Sequence, residues 1–289
     1  MSPKPRYARV VIAGLGLLGG SLALALKKRG MASRVVAWGR DAAGLRAAVR
    51  AGLVDEASTE AACAKGADLV VLSAPFTCFE SHLRALAAVA PKGCLATDVG
   101  SVKGAQVARW HRAAGGMRFV ASHPMAGGEK TGWRNASADL FQGAACLLTP
   151  LAATDPGALR QVRGLWGRLG MRVTLCTPKE HDRLVARVSH FPHAAAFALA
   201  AAQARGKRVS DFAWAGKGWF DTSRVAASDP GLWADIFMHH PGRVAADLEA
   251  MERELKTLRR LVRSGHTPAL RAWLARAADF RKATEGARR

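Results

Sequence analysis

The chain has 289 residues, 49% of them hydrophobic, which is more than one average domain and enough for a sizeable core, so two domains are expected. Lys and Arg outnumber Asp and Glu by 43 to 22, a formal charge of +21, but the basic residues are scattered from Lys4 to Arg289 beside a single Tyr, which argues against nucleic-acid binding as the primary function. Five widely spaced cysteines, Cys63, Cys78, Cys94, Cys146 and Cys176, form no C-x-x-C pair and read as reduced thiols, neither a disulfide frame nor a zinc site.

Arg6 and Arg9 precede an uncharged apolar stretch over residues 10–26, in which Ala23-Leu24-Ala25 imitates a signal-peptidase site. Gly14, Gly16, Gly19 and Gly20 fall inside that stretch at the spacing of a nucleotide-binding turn, and no second apolar segment of membrane length follows. A cytoplasmic chain without a membrane segment is therefore the expectation. A strand at 10–13 runs into Gly14-Leu15-Gly16-Leu17-Leu18-Gly19, a G-x-G-x-x-G, and then into a helix over 21–29 opening at Gly20-Ser21. Gly14 permits a tight turn, Gly16 lets backbone approach a pyrophosphate, and Gly19 allows close strand–helix packing, with the helix N-terminus supplying N–H groups and positive dipole.

The second strand, 35–38, ends at Gly39 and Arg40, where an NAD site usually carries an acidic residue for the ribose 2′-hydroxyl. Absence of the carboxylate and presence of a guanidinium favour a 2′-phosphate, hence NADP. Asp41 reads as the N-cap of a helix over 41–51, and NAD stays the alternative. Strands at 69–74, 94–98, 118–122, 145–149 and 172–176 then alternate with helices at 79–89, 102–113 and 156–169, a βαβ pattern with a mostly parallel sheet. Ligands of such sheets lie beyond the carboxyl ends of the strands, which brings Ser73, Pro75 and Ser101 to the cofactor and places His123 just past a strand. The near-neutral pKa of a histidine suits His123 to accept a hydroxyl proton as hydride departs, and Ser101 can orient it or bond the same hydroxyl.

Strand signals stop at Pro178, so the nucleotide-binding α/β domain is assigned to residues 1–178 and an all-helical domain to 179–289. The Ala-rich segment 179–204 is helical in composition, with Pro192 expected to kink or break it. From Arg243, Leu248, Met251, Leu255, Leu258 and Val262 recur at three- and four-residue steps, an apolar stripe that packs within its own domain or against a second copy. His190 and His193 flank Pro192, yet no carboxylate or cysteine completes a metal-ligand set by spacing.

Four segments resemble the prephenate/arogenate (cyclohexadienyl) dehydrogenase family, in order from about Val10 to Ile236. They are Asp98-Val99-Gly100-Ser101-Val102-Lys103; Ser122-His123-Pro124-Met125-Ala126-Gly127-Gly128-Glu129; His181-Asp182 with Ser189-His190-Phe191-Pro192-His193; and Asp221-Thr222-Ser223-Arg224 with Ser228-Asp229-Pro230 and Trp233. The resemblance implies a Rossmann-type domain with a helical substrate and dimerisation domain, and oxidative decarboxylation of prephenate and/or arogenate in tyrosine biosynthesis. Hydride passes to NAD(P), and the product is 4-hydroxyphenylpyruvate or tyrosine. It gives His123 and Ser101 the central catalytic roles and puts His193, Arg224, Glu129 and Asp221 in the substrate pocket. His190 reads as structural. Arg224 matches the arginine that grips a substrate carboxylate, its bland reading being a surface salt bridge. Phe220 stands where some members carry a basic residue, and the end at Arg289 leaves no fused regulatory or mutase domain expected. The partners implied are an anionic small molecule and a second copy of the chain, with no nucleic acid and no membrane. An NADP-linked β-hydroxyacid dehydrogenase is the nearest rival, but it relies on a lysine in the second domain where this chain offers the His123 segment.

Overall fold

A computed structural model of the chain describes residues 6–206 and 208–286. Its first part is a six-stranded sheet built from β1 (Tyr7–Ala13), β2 (Ala32–Trp38), β3 (Glu56–Ser58), β4 (Leu69–Leu72), β5 (Leu95–Asp98) and β6 (Arg118–Val120), with helices α1 (Leu17–Lys28), α2 (Ala42–Arg50), α3 (Phe79–Ala87) and α4 (Gln106–Ala113) between them. Strand order is β3-β2-β1-β4-β5-β6 and every pairing is parallel. Such a sheet must be covered on both faces, and residues 10–13 of β1, apolar throughout, are completely buried. Val10 and Ile12 face a core with Leu22 and Leu26 of α1, while Val11 and Ala13 face another with Phe79 and Leu83 of α3. Each of those leucines contributes roughly 1.5–3 kcal/mol by leaving water.

Register aligns the ends of the central strands: Ala13 is level with Trp38 on one side and Leu72 on the other, and Leu72 with Asp98. Gly14, Gly39, Ser73 and Val99 therefore emerge along one edge, on either side of the point where the strand order reverses between β1 and β4.

The remaining strands leave this sheet. Sequence periodicity predicts one strand over 118–122, whereas the chain turns at Ala121 and continues as β7 (Ser122–Pro124), which pairs antiparallel with β8 (Ala145–Leu148). The helix α5 (Pro156–Arg168) then leads to β9 (Arg172–Leu175), parallel to β8, completing a separate three-stranded sheet. Both sheets satisfy the same apolar alternation, so the pattern alone could not divide them. Asp155 caps α5, its carboxylate accepting from the Ala158 N–H, and Pro156 sits in the first turn where its missing N–H is harmless.

Helices follow: α6 (Pro178–Val185), opened by a Thr177/Glu180 capping box, a π-helical segment at Ala186–His190, α7 (Phe191–Ala204), α8 (Lys217–Ser223) and α9 (Pro230–His239). Pro192 does not break α7, because it occupies its first turn; the irregularity lies just before it, in the π-helical turn. By internal packing the described chain falls into two units, one ending at His239 and one starting at His240. The second consists of α10 (Pro241–Ser264) and α11 (Thr267–Gly286), joined through Gly265 in the left-handed conformation, φ 64°. The apolar stripe of α10 is not all consumed among the described residues: Leu248, Met251 and Leu258 are half-buried, whereas Leu255 and Val262 are 53% and 60% exposed.

All five cysteines are free thiols, and burial pushes the Cys94 thiol up to about 12. No helix among the described residues is long and apolar enough to cross a membrane.

Candidate active site

Beyond β1, β2 and β4 lies a cleft of about 400 Å³ bordered by Gly14, Leu15, Gly16, Gly39, Arg40, Ser73 and Pro75, all expected at a cofactor from sequence. Leu17, Leu18 and Gly19 belong to α1, which begins at Leu17 rather than near Ser21, so their N–H groups form its first turn. The glycine turn is closed to side chains and open to a ligand. Gly14 has φ 100° and a Cβ there would stand 2.5 Å from the Ala74 nitrogen, while a Cβ on Gly19 would stand 2.2 Å from the Gly14 carbonyl oxygen. A Cβ on Gly16 would meet nothing within 4 Å, leaving its backbone approachable. Ser73 Oγ is buried with no hydrogen-bond partner among the described residues, which suits a hydroxyl that binds a ligand. Asp41 accepts the Gly44 N–H at 3.0 Å, so its carboxylate caps α2, and Arg40 has no ion-pair partner among the described residues. These groups fit the pyrophosphate and adenosine half of a dinucleotide.

His123 is buried within β7, opposite Leu147, rather than just past a strand. Its Nδ1 lies 2.9 Å from Nε2 of His181, whose Nδ1 lies 2.8 Å from Oδ1 of Asp182. A carboxylate can only accept, so His181 donates from Nδ1 and accepts at Nε2; His123 must then donate from Nδ1, which leaves its Nε2 with a free lone pair. Burial, reinforced by the charges of His181, Lys103 and His190, holds the His123 pKa well below the ordinary histidine value, correcting the near-neutral expectation.

The loop that carries Ser101 is locked to this strand by Asp98. Its carboxylate accepts from Lys103 Nζ at 2.7 Å, from Gly100 N at 2.9 Å and from Ser122 N at 3.0 Å, and both Asp98 and Lys103 are fully buried. The Lys103 N–H in turn reaches Asp182 Oδ1 at 3.1 Å. The helix expected from residue 102 consequently starts only at Gln106, residues 102–105 being spent on this knot. Gly104 is part of it, because a Cβ there would stand 2.5 Å from Asp182 Oδ2.

Arg224 and Glu129 form an ion pair at 2.8 Å, so two residues expected at the substrate meet each other. His193 donates its Nδ1–H to the Ser189 carbonyl oxygen at 2.9 Å, and its ring stacks on Trp233 with centroids 3.6 Å apart. Burial lowers the His193 pKa, and the Arg224 charge acts in the same direction. Trp233 also meets the buried His190 edge-on at 6.1 Å, and His190 is among the groups acting on His123. The two clusters thus adjoin. Asp221 is exposed on α8, one helical turn before Arg224, and makes no side-chain hydrogen bond or ion pair with either cluster among the described residues.

The family model of the prephenate dehydrogenase nucleotide-binding domain matches residues 22–175, and that of the prephenate dehydrogenase dimerization domain matches residues 177–276. The chain belongs to the prephenate dehydrogenase family. It is 31% identical over 280 residues to a prephenate dehydrogenase of Bacillus subtilis (strain 168), covering 94% of this chain and 75% of the relative. The fold is similar to that of prephenate dehydrogenase from A. aeolicus in complex with hydroxyphenyl propionate and NAD+, with TM-score 0.86, 32% identity, 96% of this chain and 98% of that one. Synechocystis arogenate dehydrogenase is also similar, with TM-score 0.75, 30% identity, 96% of this chain and 99% of that one. The protein is therefore an oxidoreductase with a nicotinamide-nucleotide domain of Rossmann type.

In this prephenate dehydrogenase family member the partners behind His123 leave no mark in the local sequence pattern. His181-Asp182 and Lys103 sit inside the recognised motifs, yet nothing in their spacing shows that His181, 58 residues from His123, meets its ring. A buried polar cluster of long sequence separation has no periodic signal; only the density of His, Asp and Lys in otherwise apolar strand ends marked these segments.

Proposed function

We propose that this chain oxidatively decarboxylates prephenate and/or arogenate, using NADP in preference to NAD, as a cytoplasmic homodimer. The observation that carries the reading is the buried chain His123–His181–Asp182, which leaves a neutral imidazole with its Nε2 lone pair unengaged. Bound in the cleft beside Gly14 and Ser73, the cofactor supplies the hydride acceptor. His123 Nε2 takes the proton of the ring hydroxyl as hydride leaves the same carbon, and the positive charge is stabilised through His181 by Asp182. Loss of carbon dioxide from the resulting ketone makes the ring aromatic, and His123 returns its proton to the phenolate oxygen.

Ser101, held by the Asp98 knot, is assigned to the same hydroxyl. Arg224 uses one Nη on Glu129 and keeps other donors of its fork for a substrate carboxylate, with His193 as a further contact and Glu129 setting the guanidinium. Asp221 is assigned to the pocket rim by the resemblance alone. Functionally the division lies at residue 178, with 179–289 completing the substrate site and supplying the dimer contacts; the junction of the two family matches supports it.

Initial rates with each of the two substrates and each of the two cofactors test the reading. Turnover of at least one substrate with a higher kcat/KM for NADP is expected; a clear preference for NAD would refute the assignment of Arg40, and no turnover of either substrate would refute the function.

A further inference from the structure

The adenosine end of the cleft has a wall that neither the glycine turn nor Arg40 explains. His82 of α3 lines it, together with Trp38, Thr59 and Arg40. Its ring stands edge-on to the Trp38 indole, centroids 4.7 Å apart at 70°, and that packing fixes the plane of the imidazole. Nδ1 is buried with no hydrogen-bond partner among the described residues, so a proton placed there would be an unsatisfied buried donor. The tautomer protonated on Nε2 avoids that cost and leaves an N–H able to donate into the cleft.

The charges around it are few. Arg40, from the loop after β2, acts on His82 and with burial holds its pKa below the ordinary value. On its own helix Glu80 pairs with Arg84 at 2.8 Å, and Asp41 is committed to the α2 N-cap. Two N–H donors, the Arg40 guanidinium and the His82 imidazole, border one corner of a nucleotide cleft whose neighbouring carboxylate, Asp41, is engaged at the α2 N-cap.

We propose that His82 is a second specificity residue, whose Nε2–H and the Arg40 guanidinium together bind the 2′-phosphate of NADP. This rests on the NADP reading of Arg40 and extends it to a residue from another element. A phosphate dianion between the two groups cancels their repulsion and favours the protonated imidazole, so binding takes up a proton. NADP affinity then rises as pH falls from about 8 to about 6.5, whereas NAD, which lacks the phosphate, shows no such dependence.

Isothermal titration of NADP and NAD into the wild type, His82→Leu, His82→Gln and Arg40→Ala at both pH values tests this. His82→Leu is expected to weaken NADP roughly tenfold while leaving NAD unchanged, the size of a hydrogen bond to a charged group. His82→Gln, which keeps a donor without a titratable proton, should restore much of the affinity but none of its pH dependence. If Arg40→Ala collapses the preference for NADP while His82→Leu does not, the role of His82 is overturned and the NADP reading stands. Equal weakening of NADP and NAD by His82→Leu also overturns it, since the contact would then be to the part of the cofactor they share. No change of preference in Arg40→Ala would overturn both.

Discussion

In the proposed mechanism His123 serves as the base under two opposed influences. Burial keeps it neutral, and the His181–Asp182 pair behind it steadies the charge it acquires on accepting a proton. His123→Asn keeps a polar side chain but no basic nitrogen, so turnover should fall roughly 10²–10⁴-fold in stopped or continuous assays while cofactor affinity, read by titration, stays the same. The sign of the pH effect follows from the direction of the shift. A base must be unprotonated, and burial holds the His123 pKa well below the ordinary histidine value. The rate at low substrate should therefore rise with pH along a limb below the usual histidine range and be flat by neutrality; a limb centred at or above the ordinary value would contradict the buried, neutral imidazole. Asp182→Asn is the complementary probe. An amide can present its N–H to His181 and reverse both tautomers, putting the proton of His123 on Nε2, so kcat should fall sharply with KM little altered.

At the scale of elements, the site is assembled where regular structure stops. The loop between β5 and α4 and the first residue of β7 are tied by one carboxylate, Asp98, and its buried partner Lys103. Taking both charges out of water is costly, so the pair is weak evidence for stability as such, but removing either leaves the other buried and uncompensated. Asp98→Asn should lower unfolding free energy by roughly 3–5 kcal/mol, seen as a lower urea midpoint at unchanged slope; a midpoint near that of the wild type would mean that Lys103 finds another partner. Legibility from sequence follows the same line. Strands β1, β2, β4 and β5, the glycine turn and the Asp41 cap rest on local chemistry, and periodicity and turn residues reveal them. The edge strand β3, Glu56–Ser58, carries no alternation, and residues 102–105 look helical because the long-range bonds of Lys103 to Asp98 and Asp182 are invisible in a local window. The break at Ala121, which converts an apparent single strand into β6 and β7 and gives His123 its direction, depends on Ser122 bonding Asp98 across 24 residues. What local pattern cannot supply is supplied by tertiary hydrogen bonds, and those gather at the site.

For the whole molecule the unassigned quantity is apolar surface. In α10 only Val244 is buried, and Leu255 and Val262 stand 53% and 60% exposed, with Leu274 and Phe280 of α11 at 50% and 74%. Side chains of this size, recurring at helical spacing along a two-helix unit, mark an interface when the chain itself does not cover them. The net charge of +21 works against self-association through long-range repulsion, which makes the apolar stripe the feature that has to overcome it. Light scattering at micromolar concentration should give twice the 30.6 kDa of one chain, with the mass insensitive or slightly increasing as salt screens the repulsion. Leu255→Glu with Val262→Glu places carboxylates on positions already exposed in the single chain, so folding within each chain loses little. In a dimer formed through this face the same carboxylates are buried without partners and oppose association strongly. The double variant should therefore scatter as a monomer with an unchanged far-ultraviolet circular dichroism spectrum, whereas a double variant that still scatters as a dimer would move the interface away from α10.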